Sequence, residues 1–275
     1  MIWQTTRFRI DLSRVHLMGI VNVTPDSFSD GGQSLAAGAA LAHCEQLVAD
    51  GADILDIGGE SSRPGARRVP IQEELDRVMP VLEGALKLGC PVSLDTTKTE
   101  VMRAALALGV DIVNDIHALS APGALGAVAA HDCGICLMHM RGEPDTMQRD
   151  PRYADVLTEV AAELKLRLEA VRSHGIAEAR VVLDPGIGFG KSVEHNLDLL
   201  RRQHELLELG RPLLVGWSRK STLGAVTGRD VSQRLAASLA AALAAAHRGA
   251  SIIRVHDVAA SADALKVWRA AGLCR

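Results

Sequence analysis

Three oxygen-bearing side chains stand at the ends of apolar runs that are far apart in the sequence. Asp95 ends PVSLD, Asn114 lies in DIVNDI, and Asp184 ends RVVLD. Carboxylates form strong charge-assisted hydrogen bonds with a planar edge that carries several N–H groups. If the fold brings these residues together, they would suit a flat nitrogen heterocycle with several N–H donors.

A second group of side chains near such run ends carries positive charge or hydroxyls. The residues are Arg63, Lys220, Arg254 and His256, with Ser61 and Ser62. Such groups, together with backbone N–H groups, bind phosphate and diphosphate. The formal net charge of -3 gives no basic field for nucleic acid or an anionic membrane, so local cations must meet any anionic ligand. The two groups predict a bipartite site, with a nitrogen heterocycle below and a phosphorylated group above.

The elements that must position these residues follow a repeating pattern. Eight short apolar runs each precede a polar or glycine-containing turn and a segment with helical spacing. The runs are HLMGIVNVT, DILDIGGE, PVSLDTT, DIVNDI, GICLMHM, RVVLDPG, PLLVGWS and SIIRVHD. Nearly continuous apolar strands are typical of parallel sheets that are covered on both faces. The pattern predicts an α/β protein, a single-domain (β/α)8 TIM barrel over residues 1–275, and is less typical of a doubly wound open sheet.

Active sites of such barrels lie at the carboxyl ends of the strands, and every predicted strand has a polar group there. The groups include Asn22, Glu60, Asp95, Asn114, His139, Asp184, Ser218, Arg254 and His256. A buried polar pocket is costly unless a ligand or water satisfies it. We assign Thr97, Asp115 and Asp257 to helix caps. The first 14 residues are expected to cover the opposite end of the barrel.

The cysteines and apolar segments indicate the compartment. The chain has five cysteines, an odd number, and its length argues against a disulfide framework. Cys133 and Cys136 have C-x-x-C spacing, but no second pair completes a zinc site. The N-terminal segment lacks an apolar core of signal-peptide length, and the alanine-rich run 235–246 is too short to span a bilayer. We therefore expect a cytoplasmic protein.

Eight segments, taken together and in order, resemble the dihydropteroate synthases, a pterin-binding TIM-barrel family. The segments are NVTPDSFSDGG, DIGGESSRPGA, LDTTK, VNDI, LMHMRGEPDTMQ, DPGIGFGK, GWSRKS and IIRVHDV. The first two are the most specific of the eight. One departure is Ser62, where we expect threonine, and the hydroxyl is retained.

The resemblance implies a transferase of folate biosynthesis. It would condense 6-hydroxymethyl-7,8-dihydropterin diphosphate with 4-aminobenzoate, giving 7,8-dihydropteroate and diphosphate. It further implies Mg²⁺ as cofactor, a homodimer, and inhibition by sulfonamides. We expect a dissociative, SN1-like loss of diphosphate, because the electron-rich dihydropterin can share positive charge.

The resemblance also implies a role for each matching residue. Those expected to bind the pterin are Asp95, Asn114, Met138, Asp184 and Lys220. Those expected near the diphosphate are Ser62, Arg63, Arg254 and His256, with Asn22 holding the Mg²⁺. Those expected around 4-aminobenzoate are Pro64, Phe189, Lys220 and Ser221. Of these, we expect Asn22, Lys220, Arg254 and His256 to take part in catalysis.

Three alternatives are open at this point. A cobalamin-dependent methyltransferase pterin domain would share the barrel, but it should lack the NVTPDSFSDGG and SSRPG loops. A catalytically inactive paralogue acting as a binding or assembly protein should have lost ligand residues, whereas all of those named above are present. A Schiff-base role for Lys220 is disfavoured by its polar, charged neighbours.

The segment 235–246 is our candidate for the dimer interface.

Overall fold

The computed structural model describes residues 1–24, 32–61 and 68–273. Its strands are β1 (Ile2–Gln4), β2 (Arg9–Asp11), β3 (His16–Asn22), β4 (Ile54–Gly58), β5 (Val92–Asp95), β6 (Ile112–Asp115), β7 (Gly134–Met138), β8 (Val181–Asp184), β9 (Leu213–Val215) and β10 (Ala250–Val255). Its α-helices are α1 (Gly32–Ala49), α2 (Ile71–Ala85), α3 (Thr99–Leu108), α4 (Ala124–Ala129), α5 (Val156–Ser173), α6 (Val193–Arg202), α7 (Ser221–Thr227), α8 (Leu235–His247) and α9 (Val258–Ala270).

Strands β3 to β10 form a closed barrel in the order β10-β3-β4-β5-β6-β7-β8-β9, with parallel pairing between neighbours. The predicted (β/α)8 TIM barrel is therefore confirmed, and all eight predicted strands are present. Helix α7 is a seven-residue helix with a central glycine, Gly224, and it lies between β9 and α8. The chain after β8 forms α6 and then a 3-10 helix, Gln203–Leu209.

Successive side chains of each barrel strand point to opposite faces, which divides the apolar residues into two clusters. The inner cluster contains Met18, Ile54, Ile112, Cys136, Val182, Leu214 and Ile252. The outer cluster contains their neighbours along the strands, such as Leu17, Leu55 and Leu183, which are buried together with residues of the helices. The strands read as continuously apolar because both of these faces are buried.

The first residues form an antiparallel hairpin of β1 and β2 at the amino end of the barrel. Trp3 is fully buried in the inner cluster, and its Nε1 donates to the carbonyl oxygen of Arg180 at 2.8 Å. Arg7 donates to both carboxylate oxygens of Asp111, from Nε at 2.9 Å and from Nη2 at 2.6 Å. The hairpin thus covers the amino end of the barrel, where its residues Trp3, Ile10 and Leu12 pack in the inner apolar cluster.

The structure corrects the assignment of Thr97, Asp115 and Asp257 to helix caps. The Asp115 carboxylate accepts from the backbone N–H groups of His117 and Leu119, at 2.8 Å each, and so closes a loop well before α4. Asp257 precedes α9 but makes no side-chain cap, because its carboxylate pairs with Arg219. The residue that precedes α3 is Lys98, not Thr97. Within the described ranges, no helix combines the length and the apolar character needed to cross a bilayer.

Candidate active site

A cavity of about 620 Å³ opens at the carboxyl ends of the barrel strands. Its walls include ten residues that the sequence predicted for the site: Asn22, Asp95, Asn114, Met138, Asp184, Phe189, Lys220, Ser221, Arg254 and His256. The tertiary structure therefore brings these predicted residues to one place. Ser62, Arg63 and Pro64 lie outside the described residues, so their predicted roles stay predictions.

The pleat of the strands explains how these polar groups reach the cavity. On β6, β8 and β10, the polar residue comes two positions after a residue of the inner apolar cluster, and therefore points to the same face. Asn114 follows Ile112 in this way, and Arg254 follows Ile252. Asp95 on β5 lies opposite Asn114 in the register of the sheet. The barrel interior is thus apolar at its base and polar near its carboxyl end.

A buried ionic cluster forms the floor of the cavity. The Arg254 guanidinium donates to Asp56 Oδ2 at 2.6 Å and to Asp95 Oδ2 at 2.8 Å. Asn114 Nδ2 also donates to Asp56 Oδ2, at 3.0 Å. Asp56 is fully buried, and its second oxygen, Oδ1, has no hydrogen-bond partner among the residues that the structure describes. With two carboxylates to one guanidinium, the floor can stabilise additional positive charge.

Asp56 was not among the predicted binding residues. The signal was present, since a charged residue in the middle of the apolar strand DILDIG requires a buried partner. The partner could not be identified from sequence because Arg254 is 198 positions away. Gln148 was also missed, although it contributes to the cavity wall and donates to the carbonyl oxygen of Gly188 at 2.5 Å.

Burial perturbs the acid–base behaviour of the cavity carboxyls. It raises the pKa of Asp95 to about 7, against the opposing effect of the Arg254 charge. It raises the pKa of Asp184 to about 6, although a backbone hydrogen bond from Gly186 and the charge of Lys220 act in the other direction. Strongly shifted carboxyls in a cavity are typical of functional sites, because a ligand with N–H donors restores the charged form.

The predicted aminobenzoate residues meet on one side of the opening. Lys220 Nζ lies 4.2 Å from the centre of the Phe189 ring, within the range of a cation–π contact. Ser221 is the first residue of α7, directly after Lys220, and it is exposed in the cavity wall. The three residues present an aromatic face, a cation and a hydroxyl at a helix start. That combination suits a small aromatic carboxylate.

His256 on the rim is oriented by a neighbouring strand end. Its backbone N–H donates to Ser218 Oγ at 3.2 Å, and its ring Nδ1 lies 3.0 Å from the same oxygen. Arg219, which follows Ser218 in the chain, donates to both carboxylate oxygens of Asp257, which follows His256, at 3.0 and 2.5 Å. These two contacts join the chain after β9 to the chain after β10, and both Arg254 and His256 line the cavity.

Asn22, the residue predicted to hold a metal ion, ends β3 and lines the cavity. The described residues contain no group of three or more His, Cys, Asp or Glu side chains that could hold a metal on their own. Mg²⁺ usually keeps several waters and is shared between one or two protein oxygens and substrate phosphates. An amide side chain in the cavity wall fits that mode of binding, in which a phosphorylated ligand would supply the other oxygens.

The fold and the cavity define an enzyme of the (β/α)8-barrel class with a polar, partly acidic site at the strand ends. A family model described as pterin binding enzyme matches residues 18–256. Dihydropteroate synthase from Neisseria meningitidis serogroup B is 55% identical over 279 residues, which cover 99% of this chain and 98% of that protein. The chain therefore belongs to the dihydropteroate synthase family of pterin-binding enzymes.

Solved structures agree with this assignment. Dihydropteroate synthase of Xanthomonas albilineans with 4-aminobenzoic acid superimposes with a TM-score of 0.93 at 50% identity, covering 99% of both chains. A structure of the same enzyme in complex with 7,8-dihydropteroate gives a TM-score of 0.89 at 48% identity, covering 98% of both chains. The similarity thus extends over almost the entire chain, including every strand of the barrel.

Proposed function

We propose that this protein is a transferase that condenses 6-hydroxymethyl-7,8-dihydropterin diphosphate with 4-aminobenzoate, releasing 7,8-dihydropteroate and diphosphate. The observation that carries the proposal is a single cavity with an acidic floor and an aromatic and cationic opening, in a chain of this family. Related enzymes have been crystallised with 4-aminobenzoic acid and with 7,8-dihydropteroate, which are one substrate and the product of this reaction.

The pterin ring is assigned to the floor of the cavity. The Asp184 carboxylate would accept from the 2-amino group and N3–H, forming two parallel charge-assisted bonds. Asp95 and Asn114 would bind the remaining polar edge of the ring, and Met138 would pack against its face. The raised pKa of Asp184 supports this assignment, because bound N–H donors would restore the stability of the buried carboxylate.

The diphosphate is assigned to the rim, next to Arg254 and His256. Arg254 would stabilise the departing anion. Because its guanidinium would stay bonded to the carboxylates of the floor, the guanidinium would change position little during the reaction. Ser62 and Arg63 are proposed to contact the diphosphate together with Arg254 and His256. Asn22 would hold the Mg²⁺, with the remaining ligands supplied by the diphosphate and water. The ion would neutralise charge on the leaving group.

The 4-aminobenzoate is assigned to the slot between Phe189 and Lys220. Its ring would stack against these side chains, and its carboxylate would accept from Ser221 at the start of α7. Pro64 is proposed to complete the slot. This placement directs the amine toward the pterin methylene carbon in the centre of the cavity.

We expect the bond between the methylene carbon and the diphosphate oxygen to break before the new bond to nitrogen forms. The resulting positive charge is shared by the dihydropterin ring, and the acidic floor stabilises it electrostatically. The arylamine is neutral at pH 7 and attacks with its own lone pair. It then loses a proton, for which no strong base is required.

The test is diphosphate release by the purified protein with Mg²⁺ and pterin diphosphate, with and without 4-aminobenzoate. Asp184→Ala and Arg254→Ala should each lower turnover by about 100-fold or more, because each removes a charged contact to a substrate. The matched controls are Asp263→Ala and Arg9→Ala, which change exposed residues outside the cavity. Absence of aminobenzoate-dependent turnover in the wild type would refute the proposal. Retained pterin binding would then favour an inactive paralogue.

We also propose that the protein acts in the cytoplasm as a homodimer. Val226, Val231 and Leu235 expose apolar side chains close together in sequence, at the end of α7 and the start of α8. Exposed apolar residues grouped in this way are typical of an interaction surface. Light scattering on the wild type and on Leu235→Asp tests the proposal, because the variant should shift the mass toward that of the monomer.

A further inference from the structure

One buried ammonium group holds the loop between β8 and α6, the segment DPGIGFGK. Lys191 is 2% exposed, and its Nζ donates to the carbonyl oxygens of Gly186 at 2.9 Å and Phe189 at 3.0 Å. The same nitrogen lies 2.9 Å from Nδ1 of His139. These three partners match the three N–H donors of a lysine ammonium, and a longer contact of 3.4 Å reaches the carbonyl oxygen of His139.

The two carbonyl groups belong to residues that position the two halves of the proposed site. The backbone N–H of Gly186 donates to Asp184 Oδ1 at 2.7 Å and so orients the carboxylate assigned to the pterin. Phe189 carries the ring assigned to the aminobenzoate slot, 4.2 Å from Lys220 Nζ. Lys191 is therefore bonded to the backbone next to both contacts.

The loop between β8 and α6 packs against His139, the residue directly after β7. His139 is the second residue that holds this loop in place. A Cβ atom at Gly186, whose φ is +68°, would lie 1.8 Å from the carbonyl oxygen of His139. The backbone N–H of His139 also donates to the carbonyl oxygen of Asp184 at 2.9 Å. Because the His139 side chain is fully buried, its Nδ1 is a fixed reference point for Lys191.

We propose that Lys191, anchored by His139, is a positioning residue that sets the placement of Asp184 relative to Phe189, and thereby aligns the two substrates for condensation. The inference rests on the proposed function. His139 was named among the polar groups at the strand ends, without a role. Lys191 was not predicted for the site, since a buried lysine bonded to backbone carbonyls leaves no recognisable spacing in the sequence.

The charges around Lys191 allow a test that a merely structural lysine would not pass. Burial lowers the pKa of Lys191 to about 7, with Asp184 and Glu163 opposing the shift and Lys220 and Arg141 reinforcing it. Burial also lowers the pKa of His139 to about 2, so its ring is neutral and can accept at Nδ1. A deprotonated amine has only two N–H groups. Above neutral pH, one of the three partners therefore loses its donor.

The first experiment compares steady-state kinetics of the full-length wild type, Lys191→Met and Lys266→Met. Lys266 is an exposed lysine on α9 and serves as the matched control. We expect Lys191→Met to raise KM for 4-aminobenzoate by about tenfold, as expected when buried carbonyls lose their donor, and Lys266→Met to leave it unchanged. We also expect the KM of the wild type to rise between pH 6 and pH 8, about one unit either side of the Lys191 pKa, and this rise to be absent in Lys191→Met.

A second pair of variants addresses the anchor without changing Lys191. The amide oxygen of asparagine can occupy the position of Nδ1, so His139→Asn keeps an acceptor there, whereas His139→Leu removes it. We expect His139→Asn to retain a KM within about twofold of the wild type and His139→Leu to resemble Lys191→Met. This pair tests the inference if Lys191→Met does not fold.

The outcomes separate the inference from the proposed function. Wild-type protein without aminobenzoate-dependent turnover would refute the proposed function, and this inference with it. An active wild type would refute the inference alone if Lys191→Met lost thermal stability but kept the KM and the pH profile. An active wild type whose KM does not change through neutral pH would also overturn it, without use of any variant.

Discussion

Arg254 and Asp56 form an ion pair of 2.6 Å inside the barrel, and this pair connects the rim assigned to the diphosphate with the floor assigned to the pterin. From the sequence, Arg254 was assigned to the cationic group for a phosphorylated ligand, and the carboxylates were assigned to a separate group for a nitrogen heterocycle. The structure joins the two groups, because Arg254 extends from β10 into the floor. The cation that would stabilise the leaving group is thereby held in place before any substrate binds, and such preorganisation is a main source of catalytic power in electrostatic sites.

Asp56→Asn should therefore impair both stability and turnover. The change removes the charge that compensates Arg254 while keeping nearly the same shape. Breaking one partner of a buried ion pair typically costs about 3–5 kcal/mol, and we expect the lower end because Asp95 still contacts the guanidinium. Urea denaturation measures the stability, and diphosphate release measures turnover. If Asp56→Asn has the same free energy of unfolding and the same turnover as the wild type, Asp95 alone is sufficient to hold Arg254.

The raised pKa of Asp184 predicts a pH-dependent term in stability. Its folded-state pKa is about 6, above the ordinary value of 3.8, so the folded state binds more protons than the unfolded state between these values. Stability must then fall as pH rises through this range, and the full loss is present above the folded pKa. A shift of this size corresponds to about 3 kcal/mol.

The measurement for Asp184 is urea denaturation of the wild type and Asp184→Asn from pH 4 to pH 7, a range that spans the ordinary and the raised pKa. The wild type should lose stability relative to the variant as pH rises. Equal slopes for the two proteins would contradict the raised pKa. Addition of a pterin with an intact 2-amino and N3–H edge should reduce the difference, because it stabilises the charged carboxylate.

The hairpin at the amino end predicts a variant that affects stability and leaves the site intact. Trp3→Ala removes a fully buried indole from the inner apolar cluster and should destabilise the protein by about 3–5 kcal/mol. KM for both substrates should not change, because the cavity is at the other end of the strands. Trp268→Ala, a half-buried indole on α9, should cost less and serves as the control. An altered KM in Trp3→Ala would show that the two ends of the barrel are coupled.

The contact of Phe189 with Lys220 predicts a selective loss of one substrate. Phe189→Ala should raise KM for 4-aminobenzoate by about tenfold, since aromatic contacts of this kind contribute about 1 kcal/mol or more. Pterin binding, measured by calorimetry, should be unaffected, because the pterin is assigned to the floor. The inhibition constant of a sulfonamide that competes with 4-aminobenzoate should rise in parallel with KM. Equal losses for both substrates would instead indicate a general disturbance of the loop.

Much of this architecture was predictable because its causes are local. The eight strands were identified from short apolar runs with both faces buried, and the polar residues that follow them had to converge once the strands closed into a barrel. The helix-cap assignment failed for Asp115 because its carboxylate accepts from backbone N–H groups of the loop that follows it. It failed for Asp257 because a tertiary partner, Arg219, was available to its carboxylate.

The sequence by itself determined the barrel, the end at which chemistry takes place, and the polar groups available there, since these follow from strand periodicity and residue type. Only the tertiary structure decided which of those groups are paired. Arg254 bonds Asp56 across 198 positions, and Lys191 bonds carbonyl oxygens that every residue possesses. The first pairing depends on the register of the closed barrel. The second depends on the path of the backbone, because a carbonyl group becomes a specific partner only where burial has removed water as a competitor.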